Sequence, residues 1–209
     1  MQQLHHKPTK LLIVGASGTG KTACLCRYLL AAPASRKFVF DHQGELAERL
    51  GLVACYRFDE LQAAVTNRAP WIIFDPADSF SGDLEGGFAF FCDFAFSVAK
   101  AETGRKFFVS DEIQLCTNTA SLPRSFKAII ETGRRAGLDT ILISNATNLT
   151  NNIVRNNTTD LLAFRTIDPR ALDLVEFYGL DAATVATLPD GKYIGKNTVN
   201  GSTYRGEIF

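Results

Sequence analysis

The chain has 209 residues, of which 46% are hydrophobic, and its 22 basic and 22 acidic side chains give no net charge. This composition excludes a disordered chain, and the balanced charge argues against a protein whose whole surface coats nucleic acid. No stretch approaches 18 apolar residues, and no apolar signal segment precedes Leu11, so we expect neither a transmembrane segment nor secretion. The length suits a single domain over residues 1–209.

The first apolar run, 11–14, leads into a segment that matches the pattern G-x-x-x-x-G-K-[ST]. A strand, a glycine-rich turn and a helix start in this order predict a loop whose backbone N–H groups surround phosphate oxygens. Lys21 then reaches the β and γ phosphates, and the hydroxyl of Thr22 binds the Mg²⁺ that accompanies ATP. The predicted phosphate-binding residues are Gly15, Ala16, Ser17, Gly18, Thr19, Gly20, Lys21 and Thr22.

Short apolar runs then alternate with helical segments along the chain, which predicts an α/β fold with a mostly parallel central sheet flanked by helices. The expected strands are 11–14, 37–41, 53–57, 71–75, 106–110, 139–144 and 161–165. The expected helices are 21–31, 44–50, 59–67, 86–102, 123–136 and 168–179. A C-terminal β-hairpin is expected from strands 192–199 and 202–208, which flank an Asn-Gly turn.

Two carboxylates follow early strands of this sheet. Asp41 comes after 37–40 and Asp75 after 71–74, so both are expected at the edge where parallel sheets bind ligands. Asp75 precedes a proline and is interpreted as a turn residue, whereas for Asp41 a turn and a place in the site remain equal alternatives.

The helix predicted over 86–102 contains a cluster of five of the sixteen phenylalanines. We interpret it as a helix that faces the core rather than as a platform for stacking bases, because the cluster is local and apolar all round. The five are Phe88, Phe90, Phe91, Phe94 and Phe96.

The five cysteines contain no C-x-x-C pair and occur inside apolar segments, so they are expected to be buried, reduced thiols and not a zinc site. They are Cys24, Cys26, Cys55, Cys92 and Cys116.

The strand predicted over 106–110 ends in two carboxylates, Asp111 and Glu112. This is the form of the second phosphate-site motif of P-loop enzymes, in which Asp111 holds Mg²⁺ and Glu112 polarises the attacking water. A glutamate at this position favours hydrolysis over transfer to a substrate hydroxyl.

Farther on, Arg134 and Arg135 end a helix, and the strand that follows stops at Asn145. In hydrolytic P-loop proteins a polar group at such a strand end senses the γ phosphate or orients the water. The two arginines have an alternative role, which is to offset the negative end of the helix dipole.

Together, Gly15–Thr22, Phe107–Glu112 and the segment 134–137 before a strand that ends in an amide resemble the FtsK and HerA superfamily of hexameric DNA-pumping ATPases. The closest resemblance is to the genome-packaging ATPases of membrane-containing icosahedral, tectivirus-like viruses. A leucine-proline-x-glycine turn, Leu188–Gly191, follows in the family's order. Asn145 stands where the family commonly has glutamine.

The resemblance implies a P-loop NTPase fold of the RecA and FtsK-HerA kind and an ATPase that uses ATP and Mg²⁺ to translocate double-stranded DNA, packaging a viral genome into a preformed capsid. It implies a homo-oligomeric ring, hexameric or pentameric, in the host cytoplasm or on the virion, with capsid or membrane vertex proteins as partners. Carried over to this chain, Lys21, Glu112 and Asn145 are catalytic, and Arg134 is the best candidate for an arginine finger that acts on ATP in the neighbouring subunit.

Contacts to DNA are expected from a few basic or amide-rich loops that the ring gathers into one channel, and spacing alone leaves the choice open. The candidates are Arg105, Lys106, Arg124, Lys127 and the loop around Arg155.

Three other functions remain compatible with the phosphate loop. They are an assembly ATPase of filamentous phage or a secretion system, a small-molecule or nucleoside kinase, and a nucleotide-switched binding protein with negligible turnover. Glu112 and the segment 134–145 weigh against a kinase. Stimulation of the ATPase by DNA separates a motor from a kinase.

Overall fold

The computed structural model of the protein describes residues 10–117, 122–145 and 151–208. In these ranges the strands are β1 (Lys10–Val14), β2 (Arg36–Phe40), β3 (Trp71–Phe74), β4 (Lys106–Ser110), β5 (Leu138–Ser144), β6 (Asp160–Phe164), β7 (Lys192–Asn197) and β8 (Thr203–Glu207). The helices are α1 (Lys21–Ala31), α2 (Glu45–Leu50), α3 (Phe58–Thr66), α4 (Leu84–Ala101), α5 (Ile113–Cys116), α6 (Arg124–Thr132), α7 (Asn152–Asn157), α8 (Pro169–Phe177) and α9 (Ala182–Ala186), with a 3-10 turn at Gly133–Ala136 after α6.

The strands form one sheet in the order β3-β2-β4-β5-β1-β6-β7-β8. Strands β1 to β6 pair in parallel, and β7 and β8 add an antiparallel hairpin. The carboxyl ends of β1, β2, β4 and β5 therefore lie along one side of the sheet, called the carboxyl edge below. The predicted fold class, a mostly parallel sheet with a C-terminal hairpin, is confirmed.

The phenylalanine-rich helix α4 packs its apolar face on the sheet, as predicted. It begins at Asp83, whose side chain accepts a hydrogen bond of 2.8 Å from the N–H of Gly86. Phe88 and Phe91 have no exposed surface, and the ring of Phe88 lies 5.2 Å from that of Phe40 in β2. Burial of each such side chain stabilises the fold by about 1.5–3 kcal/mol, so α4 fixes one face of the sheet.

The opposite face of the sheet is covered by α1 and α2. Leu25 and Leu29 of α1 and Leu46 of α2 are fully buried in a second cluster, which also includes Ile13 of β1. The two helices that follow β1 and β2 are thereby anchored beside the carboxyl edge.

The predicted strand 53–57 is wrong. Only Cys55 bridges β3: its N–H donates to the carbonyl of Ile73 at 2.7 Å, and its carbonyl accepts from the N–H of Asp75 at 3.0 Å. Val53 is 90% exposed, so its β-branched side chain packs in no sheet. The short helices α5, α7 and α9 had no sequence prediction, and the helix expected over 123–136 ends at Thr132 and continues as the 3-10 turn.

All five cysteines are free thiols, and all but the half-buried Cys55 are buried, which confirms the prediction for four of them. Burial raises the pKa of Cys24 and of Cys116 to about 12. Across the described ranges, none of the helices combines the length and the apolar character that a membrane crossing requires.

Candidate active site

The predicted phosphate loop connects the carboxyl end of β1 to the first residue of α1. Gly20 is the N-terminal cap of α1 with φ of 104°, a left-handed conformation that suits glycine. Glycine has no side chain that would occupy the free N–H groups of the first helical turn. These N–H groups and the positive end of the helix dipole therefore remain available to an anion.

Gly15 is required by a close approach of β6. Its φ is 149°, and a Cβ at this position would lie 2.7 Å from Cβ of Phe164 and 3.2 Å from the carbonyl oxygen of the same residue. Because these atoms are backbone or attached directly to it, they cannot rotate away. Gly18, with φ of 77°, has no atom within 4 Å of the same kind of Cβ, so its requirement is conformational alone.

We expect Gly15→Ala to destabilise the protein more than Gly18→Ala. The left-handed conformation alone costs an alanine about 1–2 kcal/mol, and Gly15→Ala adds the clash with Phe164. Thermal unfolding of both variants without nucleotide measures the difference. Equal melting temperatures would contradict the close packing of Gly15 on β6.

The C-terminal part of the chain supports the phosphate loop from behind. The N–H of Ala16 donates to the carbonyl of Arg165 at 2.8 Å, and the N–H of Gly191 donates to the carbonyl of Thr19 at 3.0 Å. The N–H of Ile208 in turn donates to the carbonyl of Gly191 at 2.9 Å. Sequence reasoning missed this support, although the leucine-proline-x-glycine turn that includes Gly191 was noted.

Lys21 and Thr22 point toward the second motif. Nζ of Lys21 donates to the carbonyl oxygen of Ala16 at 2.7 Å, and the side chain is only 5% exposed. Burial lowers the pKa of Lys21, although the nearby carboxylates of Asp111 and Glu112 oppose this shift. The hydroxyl of Thr22 lies 3.3 Å from Oδ2 of Asp111. The two predicted metal ligands are thus brought together.

The second motif turns sharply after β4. Oδ1 of Asp111 accepts a hydrogen bond of 2.8 Å from the N–H of Glu112, and Glu112 has φ of 46° and ψ of 47°. A glutamate in the left-handed region is a strained position of the kind that occurs at functional sites. The turn directs the Glu112 side chain into the pocket above the phosphate loop.

Burial raises the pKa of Asp111 to about 6, and the neighbouring negative charge of Glu112 adds to the effect. The folded carboxyl therefore keeps its proton to a higher pH than the unfolded one, which ionises at about pH 3.9. Because the folded state binds more protons between these values, the free energy of unfolding falls as pH rises from about 4 to about 6. Above about pH 6 the Asp111 carboxyl is ionised, and the free energy of unfolding is lowered by the full cost of burying this charge.

We expect Asp111→Asn to stabilise the nucleotide-free protein by about 2 kcal/mol at pH 8, because the variant buries no charge. The gain shrinks as pH is lowered toward 5. Denaturant unfolding without Mg²⁺ at pH 8 and at pH 5 measures this gain. The control is Asp173→Asn, at an exposed position of α8, which should leave the free energy of unfolding unchanged at both pH values. A variant no more stable than the wild type at pH 8 would contradict the buried charge.

Both oxygens of Glu112 accept hydrogen bonds from amides. Nδ2 of Asn145, at the end of β5, donates to Oε1, and Nε2 of Gln43, after β2, donates to Oε2 at 2.5 Å. The predicted meeting of Glu112 and Asn145 is therefore observed. Nε2 of His42 lies 3.9 Å from the same Oε2, and burial lowers the pKa of His42. Glu112 is held in a fixed orientation by residues that follow two different strands, β2 and β5.

The pocket beside the phosphate loop has a volume of about 300 Å³. Lys21, Thr22, Asp111, Glu112 and Asn145 line it, as predicted. The segment after β2 supplies the members that sequence reasoning missed, namely Gln43, Glu45 and Arg49. Their signal in the sequence was only their place after a predicted strand.

The two earlier strand-end carboxylates have structural roles. Asp41 is 1% exposed, and its Oδ2 accepts a hydrogen bond of 2.7 Å from the N–H of Ala47 in α2. Oδ1 of Asp75 accepts one of 3.0 Å from the N–H of Ala77, which is the turn that was predicted. Asp41, left open by the sequence, thus anchors the start of α2.

Arg134 and Arg135 do not belong to this pocket. Both are exposed in the 3-10 turn that precedes β5, on the side of the sheet opposite the carboxyl edge. Burial first, and then the charge of Arg134, lower the pKa of Lys10 at the start of β1. Neither arginine is placed beside the phosphate loop of its own chain.

The prediction that Lys106 is a candidate to contact DNA is wrong. It is fully buried, and its Nζ donates to the carbonyl oxygens of Glu102 at 2.7 Å, Gly104 at 2.9 Å and Ala136 at 3.2 Å. The ammonium group therefore links the segment between α4 and β4 to the 3-10 turn that precedes β5.

The other candidates retain exposed surface to different degrees. Arg105 pairs with Asp139 at 2.8 Å, and the guanidinium of Arg155 lies 4.2 Å from the ring of Phe177. Arg124 and Lys127 are exposed on α6, close to the carboxyl edge. Residues 146–150, which follow Asn145, lie outside the described residues.

No family model and no curated protein matches the sequence. Solved structures match its fold. The genome packaging NTPase B204 of Sulfolobus turreted icosahedral virus 2, in complex with AMPPCP, has a TM-score of 0.73 at 15% identity and covers 95% of this chain and 97% of that one. The chain therefore has a P-loop ATPase fold.

Two further proteins share this P-loop ATPase fold at lower scores. The bacterial conjugative coupling protein TrwB has a TM-score of 0.69 at 12% identity, covering 95% of this chain and 84% of that one. The cytoplasmic domain of the type VII secretion ATPase EccC from Thermomonospora curvata has a TM-score of 0.61 at 17% identity, covering 95% of this chain and 25% of that one. These neighbours confirm the predicted resemblance to packaging and FtsK/HerA-type ATPases in fold.

Proposed function

We propose that the protein is an ATP-hydrolysing motor that translocates double-stranded DNA, and that it packages a viral genome into a capsid. The observation that carries the hydrolytic part is the position of Glu112. Its carboxylate is fixed by Gln43 and Asn145 at the mouth of the pocket, beside Asp111 and the phosphate loop.

The phosphate loop binds the triphosphate. Its backbone N–H groups and those at the start of α1 donate hydrogen bonds to the phosphate oxygens, and Lys21 exchanges the carbonyl of Ala16 for the β and γ phosphates. This exchange is favourable because an anion replaces a neutral partner of a buried ammonium group.

The residues present fit a magnesium ion. The hydroxyl of Thr22 and the carboxylate of Asp111 lie 3.3 Å apart, and oxygen atoms of these two kinds are ligands that Mg²⁺ prefers. When bound, Mg²⁺ supplies charge neutralisation for the β and γ phosphates.

Glu112 is the general base of hydrolysis. It takes a proton from the water whose oxygen forms the new bond to the γ phosphorus, while the bond from that phosphorus to the bridging oxygen of ADP breaks. Asn145 and Gln43 hold the carboxylate in place during this step. A kinase of this fold transfers the phosphoryl group to a substrate hydroxyl and needs no glutamate here to activate water, so Glu112 favours hydrolysis.

The site needs positive charge to stabilise the transferred phosphoryl group, and Arg134 is our candidate to supply it to a neighbouring subunit. A residue exposed on the opposite side of the sheet can act only on another copy of the chain. A head-to-tail contact of this kind closes into a ring, hexameric or pentameric.

DNA as the substrate is supported by one of the neighbours in fold, B204 of Sulfolobus turreted icosahedral virus, which is described as a DNA-packaging ATPase. EccC, a type VII secretion ATPase, is the observation that favours the second candidate, a secretion ATPase.

The deciding experiment measures ATP hydrolysis with and without double-stranded DNA across a salt series. A DNA motor shows a higher kcat with DNA, and the stimulation declines with salt because the contacts are to phosphates. Hydrolysis that DNA leaves unchanged contradicts translocation and favours the secretion ATPase. A phosphorylated small product without free phosphate contradicts both and favours a kinase.

A further inference from the structure

The pocket contains a second cation that the functional assignment so far leaves unused. Arg49, near the end of α2, lines the pocket together with Lys21 and Thr22. Its Nε lies 2.8 Å from Oε1 of Glu45, one helical turn earlier, and Glu45 lines the same pocket.

A bound triphosphate requires cations in a pocket whose lining is already net negative. The described residues that line it include three carboxylates, Glu45, Asp111 and Glu112, against two cations, Lys21 and Arg49. A triphosphate adds further negative charge beside these carboxylates. A guanidinium group matches phosphate with two parallel hydrogen bonds, which makes it better suited to this anion than to a single carboxylate on the same helix.

The position of α2 indicates which phosphate Arg49 meets. Gln43, six residues earlier in the same segment, donates to Glu112, the proposed base for the water that attacks the γ phosphorus. Asp41 fixes the segment through its bond to Ala47, between Gln43 and Arg49. Gln43 therefore lies on the γ-phosphate side of the pocket, and Arg49 of the same segment lines this pocket too.

We propose that Arg49 binds the γ phosphate of ATP in its own subunit and that Glu45 holds the guanidinium group when no nucleotide is bound. The inference rests on the proposed function and adds to it a cation that acts within one chain, whereas Arg134 acts between chains. A half-exposed pair such as Arg49 and Glu45 with no further role contributes little to stability and nothing to nucleotide affinity.

The test compares the affinities of ATPγS and ADP for the full-length protein by titration calorimetry. Arg49→Ala is expected to weaken ATPγS binding at least about tenfold, the effect of losing a charged hydrogen bond, and to leave ADP binding within about twofold. Arg49→Lys restores part of the ATPγS affinity. Arg27→Ala, which removes an exposed arginine of α1 that does not line the pocket, is the matched control with no effect.

The possible results separate this inference from the proposed function. Unchanged ATPγS affinity in Arg49→Ala, or equal losses for ATPγS and ADP, overturns the contact with the γ phosphate but leaves ATP binding by the phosphate loop intact. A wild-type protein that binds neither nucleotide overturns the proposed function itself. Mixed assemblies give a second readout: Glu112→Gln subunits do not restore turnover to Arg49→Ala subunits, because Arg49 serves its own site, and restoration would overturn the assignment within one chain.

Discussion

Glu112→Gln is expected to reduce kcat for ATP hydrolysis by about 100-fold or more while leaving the affinity for ATP within about twofold. Glutamine has nearly the same shape and still fills the space between Asn145 and Gln43, but its amide cannot take a proton from water. Because the phosphate loop and Thr22 are untouched, binding is preserved. Steady-state phosphate release and calorimetric titration with ATPγS measure the two effects.

The control for this variant is Glu176→Gln, which removes an exposed carboxylate from α8 and should change neither quantity. Thermal unfolding establishes that both variants are folded. If Glu112→Gln hydrolyses ATP at the wild-type rate, Glu112 is not the base and the proposed mechanism is wrong.

Arg134→Ala is expected to lower kcat by about 1,000-fold, the scale of a lost arginine finger, with little change in nucleotide affinity. The reason is its place in the fold: it is exposed on the side opposite the carboxyl edge and has no contact with its own phosphate loop. Mixing Arg134→Ala subunits with Glu112→Gln subunits should restore activity, because each variant supplies what the other lacks. ATPase measurements over a range of mixing ratios test this.

Arg135→Ala is the matched control, since Arg135 is the neighbouring exposed arginine of the same 3-10 turn. We expect it to retain turnover, and loss of turnover in this variant alone would move the finger to Arg135. If Arg134 only offsets the helix dipole, Arg134→Ala changes stability by about 0.3–1 kcal/mol and leaves kcat unchanged. Failure of the mixed subunits to regain activity would contradict a finger that acts between chains.

The sequence predicted the features that depend on local patterns. The phosphate loop, the Asp111 and Glu112 pair and the helix α4 each follow from residues close together in the chain. Gln43 and Arg49 were missed because they reach the pocket through the order of strands, with β2 beside β4, and this order is not contained in any local pattern.

The sequence also did not predict which charged side chains are buried and which apolar side chains are exposed. Lys106 looked like a basic surface residue, yet the carbonyl groups of Glu102, Gly104 and Ala136 surround its ammonium group. Val53 looked like a strand residue and is exposed. In both cases the local pattern of residues does not show how the folded chain packs around the side chain.

The hydrogen bonds from Gly191 to Thr19 and from Ile208 to Gly191 have a consequence for synthesis of the chain. The residues that hold Thr19 in place, Gly191 and Ile208, are made after the phosphate loop and after all the strands that pair in parallel. A nascent chain therefore carries the loop without the support that shapes it until the β7-β8 hairpin has formed. We expect the phosphate loop to reach its final shape only after this hairpin has paired with β6.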